Sequence, residues 1–219
     1  RVSAQSLGVE EFAAIIDDGL GGPVSEKQSE YLGYVLGGTD RMLELFDDFR
    51  DSLRARLGTL AFERGSCRVG ELVDEVLENT LTDRVSFTCT VDPAVGSVTA
   101  DSALLSRTLD CLLQRAAKCS PRGGSVHMSV SACDDEVVFC ITDQGQAPTS
   151  GDQTLLVEGT MDDGLQRKSV TKVFGIGVEL ARALLALHGR GLSLESQKEG
   201  PGATLSFRLP HCPAAVTIS

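Results

Sequence analysis

Apolar residues recur at helical spacing through the first quarter of the chain. Phe12, Ile15, Ile16 and Leu20 fall on one side of a helix expected over residues 4–20. Gly21-Gly22-Pro23 then breaks the pattern. Ser25 and Gln28 stand at capping-box spacing, so their side chains can satisfy the free N–H groups that start a second helix. From there to about Arg56, the positions Leu32, Val35, Thr39, Met42, Phe46, Phe49 and Leu53 alternate steps of three and four, a coiled-coil-like seam. A helix of about 30 residues is roughly 45 Å long. One short neighbour cannot cover such a seam. The pattern therefore predicts a helical hairpin that pairs with a second copy, giving a homodimeric four-helix bundle. A single hairpin packed on its own adjoining domain is the competing arrangement. Gly33, Gly37 and Gly38 each weaken the second helix by about 1 kcal/mol relative to Ala, and are expected to mark a bend.

Gly58 opens a change of period. Beyond it the pattern predicts helices over 69–79, 103–118 and 175–188, with Leu105, Leu109, Leu112, Ala116 and Cys119 on one face of the middle one. Strands are expected over 85–91, 125–130, 137–142, 192–196 and 203–209, and Asp134-Asp135 can turn the second into the third as a hairpin. Residues 144–172 are polar and contain glycine, and are expected to be an irregular loop of the kind that serves as a lid. The fold class is α+β. A helical hairpin (1–58) precedes an α/β sandwich (59–210), with a sheet on one side and helices on the other, and a tail follows (211–219).

Composition narrows the partners. The 219 residues carry a formal net charge of −11, which excludes sequence-independent binding to nucleic acid and disfavours docking on anionic lipid. No apolar run approaches the roughly 20 residues that span a bilayer, so no direct membrane contact is expected in this fragment. The chain begins at Arg1 with no signal peptide, and reads as part of a longer protein whose sensor or membrane segments lie upstream. The seven cysteines are odd in number and include no C-x-x-C pair, which removes metal-ligand spacing and points to a reducing cytoplasm. Cys89 continues the alternation of Val85, Phe87 and Val91 and reads as a core filler.

Four blocks, in order, resemble the two-component sensor histidine kinases. Asp101, Leu105, Leu109, Leu112, Leu113, Ala116, Lys118, Ser120 and Pro121 stand at the spacing of that family's N-box helix. Asp143 and Gly145 resemble its first glycine box, D-x-G-x-G, and Gly175 and Gly177 its second, G-x-G-L-G-L. Residues 200–210, from Gly200 to Pro210, look like its last strand. Upstream, residues 18–32 resemble the turn and second helix of its dimerisation hairpin. The resemblance covers nearly the whole chain. It implies the family's ATP-binding sandwich of the GHKL type beneath a mobile lid.

The resemblance also implies roles. Asp143 matches the aspartate that accepts a hydrogen bond from the adenine amino group; otherwise it is a carboxylate capping a strand end. Gly175 and Gly177 match glycines that let backbone N–H groups approach phosphate; a tight turn would need them equally. Lys118 matches a lysine that faces phosphate, or is an exposed helix lysine. Gly145 and Thr204 are carried over as further nucleotide-site positions.

Several expected residues are replaced. Arg115 stands where the family's asparagine binds Mg²⁺. A guanidinium has no acceptor and cannot ligate the ion. It can instead contact phosphate, or pair with an acidic neighbour. Cys111 replaces the other N-box asparagine, Val173 and Phe174 crowd the second glycine box, and Ala147-Pro148 alters the first. ATP binding is thus expected to be weakened, with Mg²⁺ lacking its ligand. The phosphoacceptor is missing as well. The three histidines are His127, His188 and His211, none in the first helix. Three registers place the family histidine just before Arg1, at Ala4 or at Ser6, and the E-L-R-T-P-L run is absent from all of them. His188, at a helix end where a cation is mildly favoured, reads as structural, and His127 as an ordinary strand residue.

The reading that results is a catalytically impaired, histidine-kinase-like signalling scaffold. Its dimer would dock a response regulator or another kinase. The alternatives are an active, divergent kinase whose histidine precedes Arg1, and a phosphotransfer adaptor that takes phosphate from a regulator and not from ATP. An unrelated GHKL ATPase, of mismatch-repair or chaperone type, fits poorly because of the long hairpin.

Overall fold

The computed structural model describes residues 2–80, 84–162, 167–197 and 200–212. The chain forms two compact units that meet in sequence at Asp51 and Ser52.

The first unit holds helix α1 (Val2–Asp17) and most of helix α2 (Glu26–Arg56). Gly19 (φ 74°) and Gly22 (φ 115°) turn the chain between them, in a backbone region that side-chain-bearing residues rarely adopt. The capping box forms: Ser25 N–H donates to Gln28 Oε1 at 2.8 Å, and Gln28 N–H donates to Ser25 Oγ at 3.4 Å. Ser29 Oγ donates to Asp17 Oδ1 at 2.6 Å and ties one helix to the other. The helix is unbroken at Gly33, Gly37 and Gly38. Phe12, Leu20, Tyr34, Met42, Phe46 and Phe49 remain exposed along the pair.

The second unit takes the last turn of α2 and then β1 (Gly65–Arg68), α3 (Val69–Asn79), β2 (Ser86–Val91), β3 (Ser97–Ala100), α4 (Ser102–Cys119), β4 (Ser125–Cys133) and β5 (Glu136–Thr142). There follow α5 (Ser150–Glu158), β6 (Thr160–Asp162), β7 (Arg167–Ser169), α6 (Val170–Phe174), α7 (Ile176–Leu187), β8 (Ser193–Ser196) and β9 (Ala203–Cys212). Six strands lie in the order β1-β3-β9-β5-β4-β2, and β8 pairs with the start of β9, on the edge opposite β5. The β2–β4 pair is parallel and the others are antiparallel. β6 and β7 form a separate ribbon.

Alternation along the strands decides which face is covered. On β5, Val137, Phe139 and Ile141 are buried, while Val138, Cys140 and Thr142 are half-buried. Leu205, Phe207 and Leu209 repeat this on β9, and Phe207 stacks on Phe139 with ring centroids 4.8 Å apart. The buried face packs under Leu105, Leu109 and Leu112 of α4 and Val178, Ala181 and Leu185 of α7. Burying each such leucine contributes about 1.5–3 kcal/mol. The sheet-and-helix sandwich is as the pattern predicts. Cys89 is half-buried and packs against this core.

His188 is a core residue. Its Nε2 accepts from the Asp101 N–H at 3.1 Å, so its Nδ1 is the donor to the Leu184 carbonyl at 2.8 Å. That is the neutral ring, held by hydrogen bonds and not by the helix dipole. Phe62 meets its face edge-on at 4.9 Å. Asp101 also caps α4, accepting from Leu104 N–H at 3.1 Å, and its other oxygen accepts from Glu63 N–H at 2.7 Å.

The segment 144–172 departs from the expected irregular loop. A capping box between Thr149 and Asp152 starts α5, and Gly159 (φ 83°) ends it in the left-handed region. Leu155 and Leu156 are buried, which anchors the helix to the core. Arg1, residues 163–166 of this segment and the tail beyond Cys212 lie outside the described residues.

Candidate functional site

Asp143 follows the end of β5 and is 1% exposed. Three donors surround its carboxylate. Oδ1 accepts from Gly145 N–H at 2.8 Å and from Ala203 N–H at 3.3 Å, and Oδ2 accepts from Arg115 Nη1 at 2.6 Å. The backbone carbonyl of Asp143 accepts from Gln197 Nε2 at 2.7 Å. Gly202 lies so close to that carbonyl that any Cβ there would collide with it, at a φ of 135°. The hairpin from β8 to β9 therefore wraps the aspartate.

Arg115 projects from α4, and its side chain is 14% exposed. Its guanidinium carbon sits 5.8 Å from the Phe174 ring centroid. Its Nε is buried with no hydrogen-bond partner. A buried ion pair of this kind gains strongly from Coulomb attraction but loses the hydration of both charges. The two backbone N–H groups on Oδ1 satisfy the other oxygen of the carboxylate in the interior.

Gly145 is required by packing, Gly175 by its backbone angle, and Gly177 by neither. A Cβ on Gly145 would lie 2.9 Å from the Cys119 carbonyl oxygen and 3.0 Å from Asp143 Oδ1. Gly175 caps α7 with φ 90° and offers no side chain to its free N–H groups. Gly177 faces Cys111, with 3.7 Å from an added Cβ to the cysteine Cβ. Gln144 closes the end of the N-box helix: its N–H donates to Ser120 Oγ at 3.0 Å, and its Oε1 accepts from Ser125 N–H at 3.0 Å.

Of the residues singled out in the sequence, Arg115, Asp143 and Gly145 converge directly. Gly177 meets α4 one turn earlier, at Cys111. Thr204 neighbours the aspartate in another way, its hydroxyl 3.0 Å from that of Thr142, the residue before Asp143. The Lys118 side chain is exposed. Gln197 and Gly202 were not identified from sequence; only the G-x-G spacing of 200–202 hinted at the tight turn.

The implied cofactor is ATP with Mg²⁺. The asparagine positions for the ion hold Cys111 and an arginine already bonded to a carboxylate, so these residues do not fit Mg²⁺. Asp143 is present, but its outer oxygen already holds a donor.

A layered sandwich with this glycine-and-aspartate geometry defines a nucleotide-binding ATPase fold. The family described as "Histidine kinase-, DNA gyrase B-, and HSP90-like ATPase" matches residues 100–213. The chain belongs to that family, as a two-component histidine kinase core carrying the family's ATP-binding domain. It is 28% identical to the sensor protein DivL of Caulobacter vibrioides over 86% of its own length and 24% of that protein's. The curated relatives it matches first are three to four times as long, the chain spanning 24–34% of them. Among solved structures, full-length ShkA in complex with AMPPNP superposes with a TM-score of 0.69 at 19% identity, covering 96% of this chain and 47% of that one. The histidine kinase ThkA in complex with the response regulator TrrA superposes at 0.62 with 15% identity, covering 97% and 61%. No described helix is long and apolar enough to cross a membrane.

Proposed function

We propose that this chain is a catalytically impaired histidine-kinase core that works as a dimeric signalling scaffold in the cytoplasm. The observation that carries this reading is the bond from Arg115 to Asp143. The outer oxygen of the carboxylate that would accept the adenine amino group already carries the guanidinium, and one lone pair of that oxygen is left. Adenine would have to share Oδ2 with Arg115 or displace it, and displacement would leave an unpaired, largely buried cation beside Phe174. The same arginine removes the amide oxygen that would hold Mg²⁺. Lys118, Gly145, Gly175, Gly177 and Thr204 keep the outline of a nucleotide site, so weak ATP binding is retained and productive triphosphate seating is not.

The exposed apolar positions of α1 and α2 support the hairpin, residues 1–58, as a homodimer interface. Residues 59–210 then form the ATPase-like domain, with 211–219 as a tail. The partner we assign is a response regulator, or another kinase of the same class. ThkA, a structural neighbour, was solved with its regulator TrrA. No nucleic acid is a partner, given the net charge of −11.

The test is label transfer. The full-length protein, including the residues before Arg1, is incubated with γ-labelled ATP and Mg²⁺. We expect no incorporated label. Stable phosphorylation of the chain by its own ATP would refute the scaffold reading.

A further inference from the structure

Away from Asp143, the second unit has a concave cavity of about 480 Å³, within the size range of small-ligand sites. It shares no lining residue with the candidate nucleotide site. Leu156 and Phe207 form an apolar floor, both buried, and Val157 stands at the rim with 72% of its surface exposed. Three arginines line it, Arg182, Arg190 and Arg208, and none of its lining residues is acidic.

These arginines are held from behind. Arg190 Nη1 lies 2.6 Å from Glu136 Oε1, and Arg208 Nη1 lies 3.7 Å from the other oxygen of the same carboxylate. Arg182 bonds Glu179 at 3.1 Å, and Glu179 is shared with Arg56 at 3.3 Å. Four guanidiniums thus rest on two carboxylates, leaving two positive charges uncompensated by these pairs. The chain as a whole carries −11. Glu136 holds Arg190 by a hydrogen bond, whereas Arg208 stands 3.7 Å away with its side chain 58% exposed and is drawn there by charge alone. Each guanidinium has five N–H donors, more than these contacts use. Partly exposed arginines beside an apolar surface suit a compact dianion with a hydrophobic body.

We propose that this cavity binds a small phosphate monoester with an aromatic or aliphatic body. The phosphate would meet Arg190 and Arg208, and the body would lie against Val157, over the buried Leu156 and Phe207. A phosphate monoester carries about −1.5 to −2 charges at pH 7, the sign that the three lining arginines favour.

The experiment is calorimetric titration of the whole chain with phenyl phosphate, and with inorganic phosphate as the bodiless probe. Three variants go with it: Arg208→Gln, which keeps the Arg190–Glu136 pair; Val157→Glu, which puts a negative charge on an exposed rim; and Lys118→Gln, on the nucleotide side. We expect saturable binding of phenyl phosphate, tighter than that of inorganic phosphate. Arg208→Gln should weaken it by about tenfold or more, because one charge-assisted hydrogen bond is worth about a decade in affinity; Val157→Glu should weaken it as well, by repelling the dianion. Lys118→Gln should leave it unchanged. The proposal is overturned if no saturation is reached by about 10 mM, if the two probes bind equally, or if Lys118→Gln weakens binding while the rim variants do not.

Discussion

Arg115 Nη1 and Asp143 Oδ2 lie 2.6 Å apart in the interior of the ATPase-like domain, bridging α4 and the end of β5 across 28 residues of sequence. The pair has consequences for stability as well as for binding. Removing the arginine leaves a buried carboxylate whose remaining partners are two backbone N–H groups. Arg115→Met is expected to cost about 3 kcal/mol, at the low end for breaking a buried pair because those N–H groups stay. Asp143→Asn should cost less, since an amide oxygen can still accept from the arginine. The double variant should cost less than the two single costs combined, with a coupling of about 1–3 kcal/mol. Urea unfolding followed by circular dichroism measures all three.

Two glycines should respond in opposite directions. Gly202→Ala forces a Cβ into the Asp143 carbonyl and the Gln197 side chain, at a φ of 135°. The expected loss is about 3 kcal/mol or more, because backbone cannot move aside cheaply. Gly33 sits in α2 with nothing within 4 Å of an added Cβ. Gly33→Ala should raise helix stability by up to about 1 kcal/mol. Thermal unfolding of both variants checks the contrast.

The long helix α2 was legible from spacing alone, and so were the hairpin over Asp134-Asp135 and the helix of α3. These elements have strong periods or strong caps. β1 and β3, four residues each, were missed, whereas the equally short β8 was found because the alternating Leu192 and Leu194 mark it. α5 was missed because its cap, Thr149 with Asp152, is followed by only nine residues, two of them buried leucines. Arg115 and Asp143 were both named as candidates from the sequence, and so was the option that Arg115 pairs with an acidic neighbour. Which neighbour required the fold, since the partner lies on another element. Gln197 was invisible for the same reason.

The exposed apolar positions of the first unit predict self-association. Phe46 is 44% exposed and Phe49 50% exposed on α2. The double change Phe46→Asp, Phe49→Asp should convert a dimer to a monomer in light scattering coupled to gel filtration, with unchanged helical content. A wild-type monomer at micromolar concentration would contradict the homodimer.

Thiol chemistry gives a pH-dependent check on the sheet. Burial pushes the Cys89 and Cys140 thiols up, with Asp74 adding to the first and Glu195 to the second, although hydrogen bonds from Thr90 and Ser129 and the charge of Arg208 oppose this. A raised thiol holds less reactive thiolate at a given pH. Cys119 and Cys133 are exposed. At about pH 8, iodoacetamide should label Cys119 and Cys133 well before Cys89 and Cys140, and the gap should narrow towards about pH 10. Peptide mass mapping reads the rates.

The most direct measurement is a nucleotide titration of the wild type and Arg115→Asn, each with and without Mg²⁺. Asparagine restores an amide oxygen at the metal position and frees Asp143 Oδ2. The wild type is expected to bind an ATP analogue weakly and without response to Mg²⁺. Arg115→Asn is expected to bind it about tenfold more tightly or better, equivalent to at least one recovered hydrogen bond to a charged group, and to gain a response to Mg²⁺. Micromolar, Mg²⁺-dependent binding by the wild type, unchanged in the variant, would contradict the account.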